Sequence, residues 1–154
     1  MISLACKKSG SGETLILLHG NGGESTDFEH QTDYFSSNFR VFAVDTRGHG
    51  KSPRGTKPLS FPQFAEDLLA FFDEQKIEKA DIIGFSDGAN TAILFAAKYP
   101  TRIRRLVLCG ACITPKAVKR SVQIPITLGY AVASRFKNPE AQRNAEILGL
   151  MVND

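Results

Sequence analysis

Three short clusters hold the residue types that could do chemistry in this 154-residue sequence. The first is Gly84-Phe85-Ser86-Asp87-Gly88, which fits G-x-S-x-G between an apolar run and an amphipathic stretch. A serine in a sharp strand-to-helix turn, with a glycine two residues to either side, presents its hydroxyl at a helix N-terminus. There the dipole favours developing negative charge, so Ser86 is the candidate nucleophile. The second cluster is His19-Gly20-Asn21-Gly22-Gly23, directly after the run Thr14–Leu18. Acyl transfer needs two N–H donors aimed at the oxyanion of its tetrahedral intermediate, one from a glycine-rich loop and one from the residue after the nucleophile. The backbone N–H groups of Asn21 and Asp87 are assigned to that task.

The third cluster, Asp45-Thr46-Arg47-Gly48-His49-Gly50-Lys51-Ser52, reads as a tight polar turn in which Arg47 pins carbonyls or a carboxylate. His49 is weighed as a base and set aside as part of that turn, since nothing holds its imidazole against Ser86. Two nucleotide-loop patterns are near misses: Ser25 stands where G-x-G-x-x-G needs its last glycine, and Asp45 where a P-loop needs its first.

These clusters need strand ends to position them. Apolar runs at Ile2–Cys6, Thr14–Leu18, Arg40–Val44, Ala80–Phe85 and Leu106–Cys109 alternate with helical stretches at Asp27–Phe35, Phe61–Gln75 and Asp87–Tyr99. That alternation predicts an α/β fold, a doubly wound and mostly parallel sheet. In Phe61–Gln75, Phe64, Leu68, Phe71 and Phe72 form an apolar face that fills the core, with Glu66, Asp67, Asp73 and Glu74 opposite. Ser60 is its expected N-cap, and Pro62 suits the first turn. Past Pro115, two helical stretches at about Lys116–Ser134 and Pro139–Met151 follow with no strand between them.

Composition sets the outer bounds. Apolar residues make up 42% and charged residues 23%, the balance of a globular domain. No run approaches the roughly 18 apolar residues of a membrane span, and the first 12 residues lack a signal-peptide core, so a cytoplasmic location is expected. Residues 1–97 carry 9 Lys+Arg against 13 Asp+Glu, and residues 98–154 carry 10 against 3. Without interleaved aromatics this surplus reads as a solvated basic face, not a nucleic-acid site. Cys109-Gly-Ala-Cys112 has redox spacing, but Cys109 closes an apolar run and Thr114-Pro115 delay any helix. A buried or half-buried pair is therefore expected. A zinc site lacks a second ligand pair, so no metal and no cofactor is expected.

Taken together, His19-Gly20-Asn21-Gly22, Asp45-x-Arg47-Gly48-His49-Gly50-x-Ser52 and Gly84-x-Ser86-x-Gly88 resemble the α/β-hydrolase family, in its small bacterial esterase-like and carbon–carbon-bond hydrolase branch. The resemblance implies that residues 1–114 form the N-terminal part of a hydrolase core and residues 115–154 a helical cap-like segment, the sheet being truncated after the cap helices. It implies hydrolysis of an ester or related acyl bond in a small-molecule substrate. The family's triad runs serine, acid, histidine, yet no histidine follows Ser86, and Glu140, Glu146 and Asp154 are the acids after Asp87. The expectation is a hydrolase inactive or impaired as this chain; the alternative is a non-catalytic binding or assembly module. An unpaired strand edge near Leu106–Cys109 would invite a homo-oligomer or a complementing fragment, with no membrane partner expected.

Overall fold

The computed structural model describes residues 2–112 continuously, together with Ser121, Ile124, Pro125, Leu128, Ala131 and Arg135. The chain divides into two compact units, Met1–Ala111 and Cys112–Asp154. In the second, Ser121, Ile124, Pro125, Leu128 and Ala131 are helical. The rest of the stretches expected as helices at 116–134 and 139–151 lies outside the described residues.

In the first unit the strands are β1 (Cys6–Ser9), β2 (Glu13–Leu18), β3 (Phe39–Val44), β4 (Ala80–Phe85) and β5 (Ile103–Cys109). The helices are α1 (Glu29–Phe35), α2 (Phe61–Glu74) and α3 (Asp87–Lys98), with a 3₁₀ turn at Ser25–Phe28 leading into α1. The sheet order is β1-β3-β2-β4-β5; all neighbours are parallel except the antiparallel pair β1 and β3.

Alternate residues of the strands feed two cores, as period-2 geometry demands. Leu15 and Leu17 of β2 join Val41 and Ala43 under Phe28, with Phe35 of α1 packed alongside. Ile16 and Leu18 join Phe42, Val44 and Ile82 under Leu68, Phe71 and Phe72 of α2 and Phe95 of α3. Helices therefore cover both faces, so the sheet is doubly wound. The loops after β2 and β4, which are adjacent strands, leave towards opposite faces. Their carboxyl ends form the crevice where open α/β sheets place ligands.

α2 starts as its sequence predicts: the Ser60 Oγ accepts from the Gln63 N–H at 3.4 Å, and Pro62 sits in the first turn.

Four expectations need correction. The first strand is Cys6–Ser9, not Ile2–Cys6. Leu4 and Ile2 pack against the core from irregular backbone, while edge pairing with Val41–Val44 needs no apolar run. β5 begins at Ile103, three residues early, because Arg104 and Arg105 disguise its start. The ladder steps from Ala80↔Ile103 to Ile82↔Leu106, giving β5 one extra residue there, a β-bulge that sets both arginines on Asp81. Asp67, expected on the polar face of α2, is only 3% exposed. Cys109 and Cys112, expected buried or half-buried, are both exposed thiols. Among the described residues β5 is an edge strand, so its second half has little to cover it.

Candidate functional site

Ser86 lies between β4 and α3, with φ 51° and ψ −115°. This is a left-handed backbone that an L residue adopts only under constraint. The constraint comes from close approach on both sides. A Cβ at Gly84 would stand 2.6 Å from the Gly88 carbonyl oxygen and 2.7 Å from Ala89 Cα, and one at Gly88 would overlap the Leu18 carbonyl. Both positions therefore require glycine, and α3 packs directly on the ends of β2 and β4. The Ser86 N–H donates to the Cys109 carbonyl at 2.8 Å, and the Ser86 carbonyl accepts from the Ala89 and Asn90 N–H groups as α3 begins. Asp87 is the first residue of that helix, where N–H groups project ahead of the axis.

The loop after β2 reaches the same point. A Cβ at Gly20 would lie 3.2 Å from Ser86 Cβ and 3.1 Å from the Phe85 ring, so the loop backbone passes directly over the serine. Asn21 follows at once, in the turn closed by the Gly23 N–H donating to the Gly20 carbonyl at 3.1 Å. The structure thus brings the Gly20-Asn21 backbone, Ser86 and Asp87 to one crevice.

The ring nitrogens of His19 are bonded to Gly20 and Thr46. Its Nδ1–H donates to the Gly20 carbonyl at 2.7 Å, and its Nε2 accepts the Thr46 N–H at 3.0 Å. Those partners define the neutral tautomer, and burial lowers its pKa below the ordinary 6.5. Its ring nitrogens are spent on joining the loop to the turn after β3. His49 lies inside that turn, with Nδ1 at 3.0 Å from the Arg47 carbonyl and its ring 5.2 Å from that of His19.

The turn is a hub. The Asp45 carboxylate accepts from the Ser25 N–H at 2.6 Å and the Lys51 N–H at 2.9 Å, and its backbone carbonyl accepts from the Ser52 hydroxyl. Arg47 does both things expected of it. It donates to the Arg54 carbonyl, and it makes a bidentate pair with Asp67 of α2 at 2.6 Å to each oxygen. These links from Ser25 to Asp45, from Thr46 to His19 and from Asp67 to Arg47 were missed in the sequence. The Asp67 pair had one faint signal, an acid beside the apolar stripe of α2 facing an arginine-bearing glycine turn.

Among the described residues no group of three or more His, Cys, Asp or Glu side chains could hold a metal ion, and no helix is long and apolar enough to cross a membrane. The basic residues of β5 and its approach are engaged: Arg102 with Asp73, and Arg104 and Arg105 with Asp81.

Comparison with known proteins places this arrangement. The sequence model for the alpha/beta hydrolase fold matches residues 13–146. A pyrrolizixenacetamide deacetylase of Xenorhabdus hominickii is 30% identical over 118 residues, 76% of this chain and 44% of that protein. An abhydrolase domain-containing protein of Schizosaccharomyces pombe is 35% identical over 96 residues, 61% of this chain and 35% of that protein. Among solved structures, an esterase from Exiguobacterium antarcticum matches in fold at TM-score 0.79 and 18% identity, covering 97% of this chain and 68% of that one. A meta-cleavage product hydrolase from Pseudomonas fluorescens matches at TM-score 0.74 and 28% identity, covering 94% of this chain and 52% of that one. The chain spans less than half the length of these two curated relatives. With its strand order, its glycine-packed Ser86 turn and a family match that runs through most of its length, the chain belongs to the alpha/beta hydrolase fold family.

Proposed function

We propose that the chain carries the nucleophile and oxyanion half of a serine hydrolase acting on an ester or related acyl bond of a small molecule. Ser86 is the nucleophile, and the backbone N–H groups of Asn21 and Asp87 receive the oxyanion. The observation that carries this reading is the left-handed Ser86 at the start of α3 with the Gly20 backbone packed over it. The names of the matched proteins, a deacetylase and an esterase among them, are in keeping with acyl chemistry.

In this mechanism Ser86 Oγ adds to the acyl carbon and loses its proton to a base. The bond to the alcohol breaks as that oxygen takes up a proton, and water then releases the acid and restores the hydroxyl. Acid and base are the missing parts. Residues 87–154 contain no histidine, and the ring nitrogens of His19 are committed to Gly20 and Thr46. Such a site retains at most about 10³–10⁴-fold catalysis over water, from oxyanion binding alone. The chain by itself is therefore expected to be inactive or nearly so, in a cytoplasmic setting and without a metal or cofactor. The absence of a base from this stretch also favours the second reading, a non-catalytic binding module on the same scaffold.

Fluorophosphonate labelling and p-nitrophenyl acetate turnover test both readings. Slow labelling confined to Ser86, with little turnover, is expected. Robust turnover that vanishes in Ser86→Ala would overturn the impairment, and no labelling at all would favour the binding module.

A further inference from the structure

Thr91 sits one turn into α3 and is only 1% exposed. Among the described residues its hydroxyl has no hydrogen-bond partner. It does not bond even the backbone carbonyl one turn earlier, the ordinary partner of a helical threonine. A hydroxyl taken out of water needs some polar partner in exchange, so its surroundings matter.

Those surroundings hold a cavity of about 10 Å³ between α2, α3 and the turn after β3. That is about the space of one water molecule. Thr91 lines it, with Leu18 and Leu68 as apolar wall and Thr46, Arg47 and Asp67 as polar wall. Every residue around it is buried. The ion pair on its border has bonding capacity left over. A guanidinium carries five N–H donors. Arg47 spends three of them, two on Asp67 and one on the Arg54 carbonyl. Asp67 Oδ1 accepts from both Arg47 and Gln63, whereas Oδ2 accepts only the Arg47 Nε–H.

We propose that this cavity binds one structural water molecule, which accepts from Arg47, donates to Asp67 Oδ2 and exchanges a hydrogen bond with the Thr91 hydroxyl. Three polar partners are what an internal water ordinarily has. The same walls exclude an ion, because the carboxylate repels an anion and the guanidinium a cation. An apolar occupant would leave the Thr91 hydroxyl and the spare Arg47 donors unbonded. The water ties α3, which begins at the residue after Ser86, to the turn whose Thr46 N–H holds His19. The site does not depend on the chemistry proposed for Ser86.

A high-resolution crystal structure of the 154-residue chain should show one ordered water within about 3.2 Å of Thr91 Oγ1 and of the Arg47–Asp67 pair. Thr91→Val keeps the shape and has a similar helix propensity but removes the hydroxyl. It should lose the water and lower the urea midpoint. Were the hydroxyl an unbonded group in a dry interior, the same change would leave the midpoint unchanged or raise it. Thr91→Ser should keep the water. A dry cavity in the parent, a water that stays in place in Thr91→Val, or a midpoint that does not fall in that variant would each overturn the proposal. If Thr91→Val fails to fold by circular dichroism, the parent and Thr91→Ser structures decide: a water in both supports the site, and its absence from either overturns it.

Discussion

At the carboxyl ends of β2, β3 and β4 the chain is held by buried, mostly uncharged hydrogen bonds: His19 to Gly20 and Thr46, and Asp45 to Ser25, Lys51 and Ser52. One ion pair joins them, Arg47 with Asp67, and both side chains are 3% exposed or less. At the amino ends the same sheet is finished by charge at the surface. Arg104 and Arg105 share Asp81 and Glu13, and Arg105 and Glu13 are 62% and 59% exposed. Burial alone would raise the pKa of Asp81, but the hydrogen bonds from Arg104 and Arg105 outweigh it and hold the carboxyl below its usual range. The contrast separates two ways of closing a sheet. One excludes water and fixes backbone positions to the width of a hydrogen bond, as a site requires. The other joins strand ends loosely, through side chains that water can replace.

The difference is sharpest where a partner is removed. Arg47→Ala strands the Asp67 carboxylate in the interior and should cost about 3–5 kcal/mol in urea unfolding. Replacing both residues by leucine should recover most of that loss. If Arg47→Ala unfolds like the parent, the buried end is no stiffer than the exposed one.

His19→Gln should cost less, about 1–3 kcal/mol, for the hydrogen bonds to Thr46 and Gly20. It also changes the response to acid. Because the folded pKa of His19 lies below its unfolded value of 6.5, the unfolded chain binds the proton more readily. The contribution of His19 is complete above pH 6.5 and is lost as pH falls from there towards the folded value. The urea midpoint of the parent should therefore drop faster than that of His19→Gln below this pH. Parallel curves would show that His19 is not the group that titrates. At the far end Arg105→Ala should leave the unfolding midpoint unchanged within error, since its charge is solvated and Arg104 still holds Asp81.

What could be read in the sequence follows the same division. The turns around Ser86 and Gly20 were legible because glycine and serine positions declare backbone conformation locally. The elements of the core were legible through period-2 and period-3.6 spacing, as in Ile16 with Leu18 and Phe64 with Leu68. Asp67 was not, because a helical pattern assigns an acid to water unless a cation from a distant turn is known to meet it. The exposure of Cys109 was not legible either. It depends on which strand lies beyond β5, and an apolar run looks the same at a sheet's edge as at its centre. The start of β5 was hidden by two arginines whose purpose, neutralising one aspartate across a bulge, appears only when the strands are paired.

Two non-glycine residues among those described have positive φ, Lys76 at 54° and Ser86 at 51°. For Lys76 the reason is routine: α2 ends there, with the Ile77 N–H returning to the Phe72 carbonyl at 2.8 Å, a helix stop that favours a left-handed residue. Nothing comparable rewards Ser86. Its conformation costs on the order of 1–3 kcal/mol, and glycine would hold the same turn with less strain. Judged by folding free energy alone, residue 86 is the wrong amino acid. A chain tuned only to persist would shed that hydroxyl, and the nucleophile role proposed for Ser86 would account for an oxygen held at that cost.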